Sequence, residues 1–152
     1  MQKPVGKMGR HRASNELDII ERFEAGIELT GTEVRSLKEG RGVFAGARVI
    51  VRGGEAFVVG ASIPAYQNAN APSAYDPDRT RRLLLSKKEI ASIANLIDTR
   101  GATALPSHTY TKGNRIKVEV VVGRRKKKFD KRQDLRRKYD SRAIARAMKE
   151  DA

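Results

Sequence analysis

RIKVEVVV, residues Arg115–Val122, sets Ile116, Val118, Val120 and Val122 on one face and Arg115, Lys117 and Glu119 on the other. That two-residue period is the mark of a strand with one dry and one wet side. Just before it, Ala102–Thr111 is a second extended run, and Gly113-Asn114 between them is a hairpin signal. The neighbouring segments decide what this hairpin packs against.

Upstream, Ser86 and Glu89 have the S-x-x-E spacing of a capping box. Ile90, Ile93, Ala94 and Ile97 then recur at helical spacing until Gly101. Thr80–Leu85 reads as a strand in which Arg81 and Arg82 lead into Leu83-Leu84-Leu85. Residues 64–79 have no period and predict a long loop, with Asp76 and Asp78 flanking Pro77 as a structural turn. Val43–Arg52 and Glu55–Ser62 read as a hairpin about Gly53-Gly54, with Ala45, Ala47, Val49 and Val51 inward and Arg48 and Arg52 outward.

Gly31–Gly40 predicts a short helix with Thr32 as N-cap, Val34 and Leu37 on one face and Gly40 as the stop. Leu17–Thr30 reads as extended, with a turn or bulge at Glu24-Ala25-Gly26. The fold class expected is mainly β: an OB-type closed antiparallel barrel of about six strands with one short and one medium helix, because closure removes exposed strand edges.

Charge divides the chain of 152 residues into three parts. Residues 1–14 carry four basic and no acidic residues and read as a disordered arm. Residues 124–152 carry thirteen basic and five acidic residues. Residues 15–123, the expected barrel, carry fifteen basic and thirteen acidic. So most of the net +14 sits in two extensions around a nearly neutral body, which fits a polyanionic partner. In the tail, Leu135, Tyr139, Ala143 and Met148 form a thin helical stripe, too weak to stand alone in water, so it is expected to be disordered when free and to fold on a partner.

No cysteine is present, which removes disulfides and thiolate chemistry, and no run of about 18 apolar residues offers a membrane span. No apolar segment follows the basic start, so no secretory signal is expected. The two histidines, His11 and His108, have no partner at metal-ligand spacing, and no phosphate loop or nucleophile elbow occurs. No enzyme, metal or cofactor is therefore expected, and the acidic residues read as solvated charges.

The basic clusters carry the function. Arg79-Thr80-Arg81-Arg82 is expected to present a cationic edge at the start of a strand, and Arg124–Lys128 to leave the last strand anchored at one end. Tyr66, Tyr75, Phe129 and Tyr139 are the candidate stacking rings, too few for a binder of long single strands, so folded RNA read through shape and backbone is favoured. A ribosomal protein or general RNA chaperone is the competing reading, and a targeting or lipid patch at Arg124–Lys128 a more distant one.

Five strings, in order, carry a family resemblance: FEAGIELTGTEVRSLKEG (Phe23–Gly40), GEAFVVGASIPAY (Gly54–Tyr66), YDPDRTRRLLLSKKEI (Tyr75–Ile90), YTKGNRIKVEVVVG (Tyr110–Gly123) and KKKFDKRQDLRRK (Lys126–Lys138). The chain resembles the bacterial SsrA-binding proteins, also called small protein B, across about residues 10–150.

The resemblance implies an OB-type barrel that binds the tRNA-like domain of transfer-messenger RNA. It also implies delivery, indirectly with elongation factor Tu, to the small-subunit decoding region and message channel of stalled ribosomes in the cytoplasm, with no membrane. By position it implies RNA contact at Glu24 and Leu84, and a ribosome role for Asp130-Lys131-Arg132.

Together with the basic clusters, the RNA-contacting set is Arg10, Arg12, Asn15, Glu24, Arg79, Arg81, Arg82, Leu84, Lys126 and Lys127, and the tail set is Asp130, Lys131, Arg132, Arg136, Tyr139 and Met148. The chain departs from the family pattern at Asn15-Glu16-Leu17, at Tyr75 where the family usually has His, and at Arg125 where it usually has Gly.

Overall fold

The alternation in Arg115–Val122 survives folding: Ile116, Val118, Val120 and Val122 are buried in the main core. The structure, a computed structural model, describes residues 3–4, 17–66 and 74–126. Its elements are β1 (Lys3–Pro4), β2 (Leu17–Ile27), α1 (Gly31–Lys38), β3 (Arg48–Arg52), β4 (Glu55–Val59), β5 (Arg81–Leu84), α2 (Lys87–Arg100), β6 (Thr103–Lys112) and β7 (Arg115–Arg125).

All pairings are antiparallel and run β6-β3-β4-β5-β2-β7, and β7 then pairs with β6. Six strands thus close into the barrel expected from the sequence, around Phe23, Leu37, Phe44, Val58, Ile63 and the inward residues of β7. A smaller apolar cluster, Leu17, Leu105 and Val121 with Ile19 against it, covers the other face of β7.

Helix α2 begins and ends where its signals stand. Ser86 Oγ accepts from the Glu89 N–H at 3.2 Å, the Glu89 carboxylate accepts from the Ser86 N–H at 3.0 Å, and Gly101 takes the left-handed conformation at the C-cap. The hairpin turn at Gly53-Gly54 also stands, with φ of +60° and +74°, values a side chain resists.

Other boundaries differ. The N-cap of α1 is Thr30, not Thr32: Thr30 Oγ1 accepts from the Glu33 N–H and Glu33 Oε1 from the Thr30 N–H. Residues 43–47 form a turn rather than the start of β3, so Phe44 is buried and Ala45 exposed; only Val43, bridged to Ser62, is paired. Residues 24–26 continue β2 without a turn, and the irregularity falls at Ile20, between Ile19 and Glu21. Within the basic arm, Lys3 and Pro4 pair with Thr111 and Tyr110 of β6, a length too short to show periodicity.

Strand β7 does not stop at Val122. Gly123, Arg124 and Arg125 pair with Ile19, Asp18 and Leu17. A Cβ at Gly123 would stand 2.2 Å from the Asp18 carbonyl oxygen, so only glycine lets the strands meet here.

One acid is far from solvated. Glu33, wholly buried, accepts from Arg81 Nε at 2.8 Å, with Arg81 Nη2 ion-paired to it at 2.6 Å, and accepts from Arg79 through Nε at 3.1 Å and through Nη2. Arg81, also buried, spends its other donors on the carbonyls of Ala61 (3.2 Å), Arg79 (3.0 Å) and Pro77 (2.8 Å). Each of its three guanidinium nitrogens thus donates a hydrogen bond, four in all. Burial alone pushes the Glu33 carboxyl up, but Arg79, the Thr30 N–H and Arg81 outweigh it and hold it at about 2.

A carboxyl whose pKa is depressed by folding stabilises the native state above its ordinary value and loses that contribution as pH falls through the folded value. The shift from 4.5 to about 2 is worth about 3 kcal/mol. Acid titration of unfolding free energy is therefore expected to show that loss between pH 4.5 and about 2, and Glu33→Ala, which strands a buried guanidinium, to cost about 3–5 kcal/mol by denaturant melts near neutral pH.

Candidate nucleic-acid interface

Period two assigns the outward side chains of the barrel. On β2 these are Arg22, Glu24 and Gly26; on β5, Arg82 and Leu84; on β7, Lys117 and Glu119; on β6, His108, Tyr110 and Lys112. The register sets Glu24 opposite Glu119. Like charges facing across a sheet repel, and each is matched by its own donors. Glu24 accepts from the Tyr110 hydroxyl at 2.6 Å and from Lys112 Nζ at 3.1 Å. Glu119 accepts from the Ser107 hydroxyl at 2.7 Å and Arg22 Nη1 at 2.9 Å, with His108 Nδ1 at 3.5 Å.

These contacts set the protonation of the wall. Hydrogen bonds from Tyr110 and then Lys112 hold the Glu24 carboxyl below its usual value. Burial, with the Glu24 carboxylate beside it, pushes the Tyr110 phenol up. For Glu119, burial pushes up, but the Ser107 and Arg22 hydrogen bonds prevail and the carboxyl is lowered. Glu24 is thus an ionised, oriented acceptor that itself repels a phosphate oxygen and welcomes an N–H or O–H donor.

The basic edge expected at residues 79–82 is divided by the same alternation. Arg82 points outward, its guanidinium between Glu28 Oε2 at 3.1 Å and Glu55 Oε1 at 3.0 Å. Arg81 shares the inward face of Leu83, has no exposed surface, and is a core residue rather than a phosphate contact. Arg79 is one-third exposed while bound to Glu33. Leu84, beyond Arg82 on the outward face, is 49% exposed.

The candidate rings are accounted for in part. Tyr66 lies under the Arg35 guanidinium, 5.7 Å from its centroid, and Tyr75 donates to the Ile63 carbonyl at 2.5 Å beside Glu33, so neither stands free as a stacking platform. The turn at Asp76-Pro77-Asp78 is confirmed by the Asp78 N–H bonding Asp76 Oδ1 at 2.9 Å. Lys126 is the last described residue. Arg10, Arg12, Asn15, Lys127, Phe129, Asp130, Lys131, Arg132, Arg136, Tyr139 and Met148 lie outside the described residues.

Tyr110, Lys112, Glu119 and Arg22 were not singled out from the sequence. Their signal is present in it, as the alternate positions to the apolar ones on β2, β6 and β7.

Among the described residues there is no group of acids and histidines able to hold a metal, and no helix long and apolar enough to cross a membrane. Fold and wall together define a closed antiparallel barrel whose outward face bears cations around an oriented carboxylate, the build of a small binding module. A model of the SmpB protein family matches residues 8–150. The chain is 44% identical over 140 residues to the SsrA-binding protein of Rubrobacter xylanophilus, covering 91% of this chain and 92% of that one. It is 41% identical over 138 residues to that of Microcystis aeruginosa, covering 91% and 90%. A solved chain described as "tmRNA-SmpB: a journey to the center of the bacterial ribosome" superposes with a TM-score of 0.65 at 31% identity, over 89% of this chain and 96% of that chain. This chain belongs to the SmpB, or SsrA-binding protein, family.

Removing one staple of Glu24 should be visible directly. Tyr110→Phe is expected to raise the Glu24 carboxyl toward its ordinary value while leaving Glu119 in place, as read by carboxyl NMR titration of the two side chains. An unmoved Glu24 would show that the phenol hydroxyl does not hold it.

Proposed function

We propose that this chain binds the tRNA-like domain of transfer-messenger RNA and delivers it to stalled ribosomes for trans-translation, acting by binding and not by catalysis, in the cytoplasm. The observation that carries the reading is the pairing of family membership over most of the chain with an outward wall that is cationic yet holds an oriented acceptor. Cations neutralise phosphate and release counterions without selecting a sequence. An ionised carboxylate at Glu24 adds selection, because it accepts from ribose hydroxyls and base N–H groups and rejects bare phosphate.

On this reading Glu24 and Leu84 contact the RNA directly, Arg79, Arg82 and Lys126 supply positive charge, and Arg10, Arg12, Asn15 and Lys127 extend the contact from the flanking segments. Arg81 contributes by holding the strand that carries Arg82 and Leu84. The segment with Asp130, Lys131, Arg132, Arg136, Tyr139 and Met148 enters the message channel of the small subunit near the decoding region and becomes helical there. Elongation factor Tu takes part through the RNA and not through this chain.

Binding to the tRNA-like domain is expected to weaken about 100-fold for a roughly fourfold rise in salt, the response of about four neutralised phosphates. An excess of unrelated folded RNA should compete poorly; equal competition would instead mark a general RNA chaperone. Deleting residues 127–152 should spare most of that affinity and abolish peptide tagging on stalled ribosomes in a reconstituted assay. Tagging by the truncated protein would refute the assignment of the tail.

A further inference from the structure

The barrel is closed least tightly between β3 and β6. Val49 pairs with Ala104, and Ile50, Val51 and Arg52 have no partner on β6 among the described residues. The second half of α2 borders this gap, and a cleft of about 450 Å³ lies there. Its lining is aliphatic, from Val49, Val51, Ala94, Ile97, Ala102 and Ala104. Its lips are charged, with Arg48 and Arg52 on the strand and Asp98 on the helix. None of the three is in a salt bridge among the described residues. An apolar floor between free charges of both signs suits an apolar group that carries a charge of each sign beside it.

The chain's own continuation leaves from the edge of this cleft. Gly123 pairs with Thr103, one of the lining residues. The next residue, Arg124, donates from Nε to the Arg100 carbonyl at 3.1 Å, at the C-terminal end of α2. Arg100 is two residues from Asp98 and two from Ala102, both in the lining. Beyond this root the sequence reads KKKFDKRQD, residues 126–134, in which Phe129 is the one apolar side chain. It stands four residues after Arg125, a span of at most about 14 Å. Lys128 precedes it and Asp130 follows it. These charges are opposite to those of Asp98 on one lip and of Arg48 and Arg52 on the other.

We infer that the cleft between α2 and β3 is the seat of this chain's own Phe129, with the ring against Val51 and Ile97, Asp130 toward Arg48 and Arg52, and Lys128 toward Asp98. The two arginines favour a ring over an aliphatic side chain, because a guanidinium lies well over an aromatic face. So short a spacer keeps the ring at an effective concentration on the order of millimolar. A contact too weak to hold a free peptide therefore holds this tethered one. The inference does not depend on the RNA partner. It adds to the function a starting place for the tail, which leaves the barrel along α2, while the stripe from Leu135 onward takes no part.

The test uses the full chain without RNA, with isoleucine, valine and alanine methyl groups labelled for NMR. Nuclear Overhauser contacts are expected from the Phe129 ring to the methyls of Ile97, Ala94 and Val51. Phe129→Ala removes the ring and should shift those methyl resonances while leaving Val58 and Val118 of the core unmoved. Ala94→Met, which fills the cleft from its helix side, should abolish the contacts with the thermal melt unchanged, and Asp130→Lys should weaken them several-fold. Cleft methyls indifferent to Phe129→Ala, or ring contacts to another surface, overturn the inference. So do contacts that survive Ala94→Met undiminished. Contacts that fade on dilution overturn it too, because the ring then comes from a second copy. RNA binding without these contacts sinks the cleft and leaves the function standing; the contacts without RNA binding do the reverse.

Discussion

Glu33 and Arg81 form an ion pair that neither partner can leave. Both are removed from water, and a charge so placed is tolerated only when its partner and its hydrogen bonds are all present. Here they are. The pair is also the junction of the molecule: Glu33 belongs to the first turn of α1, Arg81 to β5, and the carbonyls of Ala61, Pro77 and Arg79 to the chain on either side of residues 67–73. A single carboxylate therefore caps a helix through the Thr30 N–H and fixes a strand through a guanidinium. Replacing both charges by well-packed apolar groups could keep the stability. It would not keep the four directed hydrogen bonds that tell β5 where to lie.

Placement of β5 decides what the outer wall displays. Once Arg81 and Leu83 are inward, Arg82 and Leu84 have to be outward, beside Gly26 and Glu24 on β2. The acidic residues of that wall are then explained without special pleading. Glu24 and Glu119 face one another, and the neighbouring strands supply Tyr110, Lys112, Ser107 and Arg22 to separate them. Tyr75 gives its hydroxyl to the Ile63 carbonyl next to Glu33, so this ring is held by the same junction.

Much of this was legible in the sequence. The alternation of β7, the capping box of α2 and the Gly53-Gly54 turn each follow from one local rule, and the closed barrel follows from their sum. What escaped were the features set by partners distant in the chain. Glu33 reads as a helix-surface acid because the arginines that claim it are 46 and 48 residues away. Its local signal, the T-x-x-E spacing from Thr30, competes in the sequence with Thr32, which stands beside it. The run Arg79–Arg82 reads as one basic edge if charge is counted, and separates into a buried and an exposed arginine only if strand parity is applied to it. Ala45 reads as inward only if that parity runs through Gly46, whose φ of +81° ends it. The resemblance to a known family gives Glu24 and Leu84 as expected RNA contacts, while the bonds of Tyr110 and Lys112 to Glu24 exist only because β7 sets β6 across from β2.

Gly123 gives the end of the barrel a mechanical property. With no Cβ it lets β7 stay paired with β2 past Asp18, so Arg124 and Arg125 are held at the rim. A Cβ at position 123 would have to push β7 off β2, so the two cations that follow owe their place in the sheet to a residue that carries no side chain of its own.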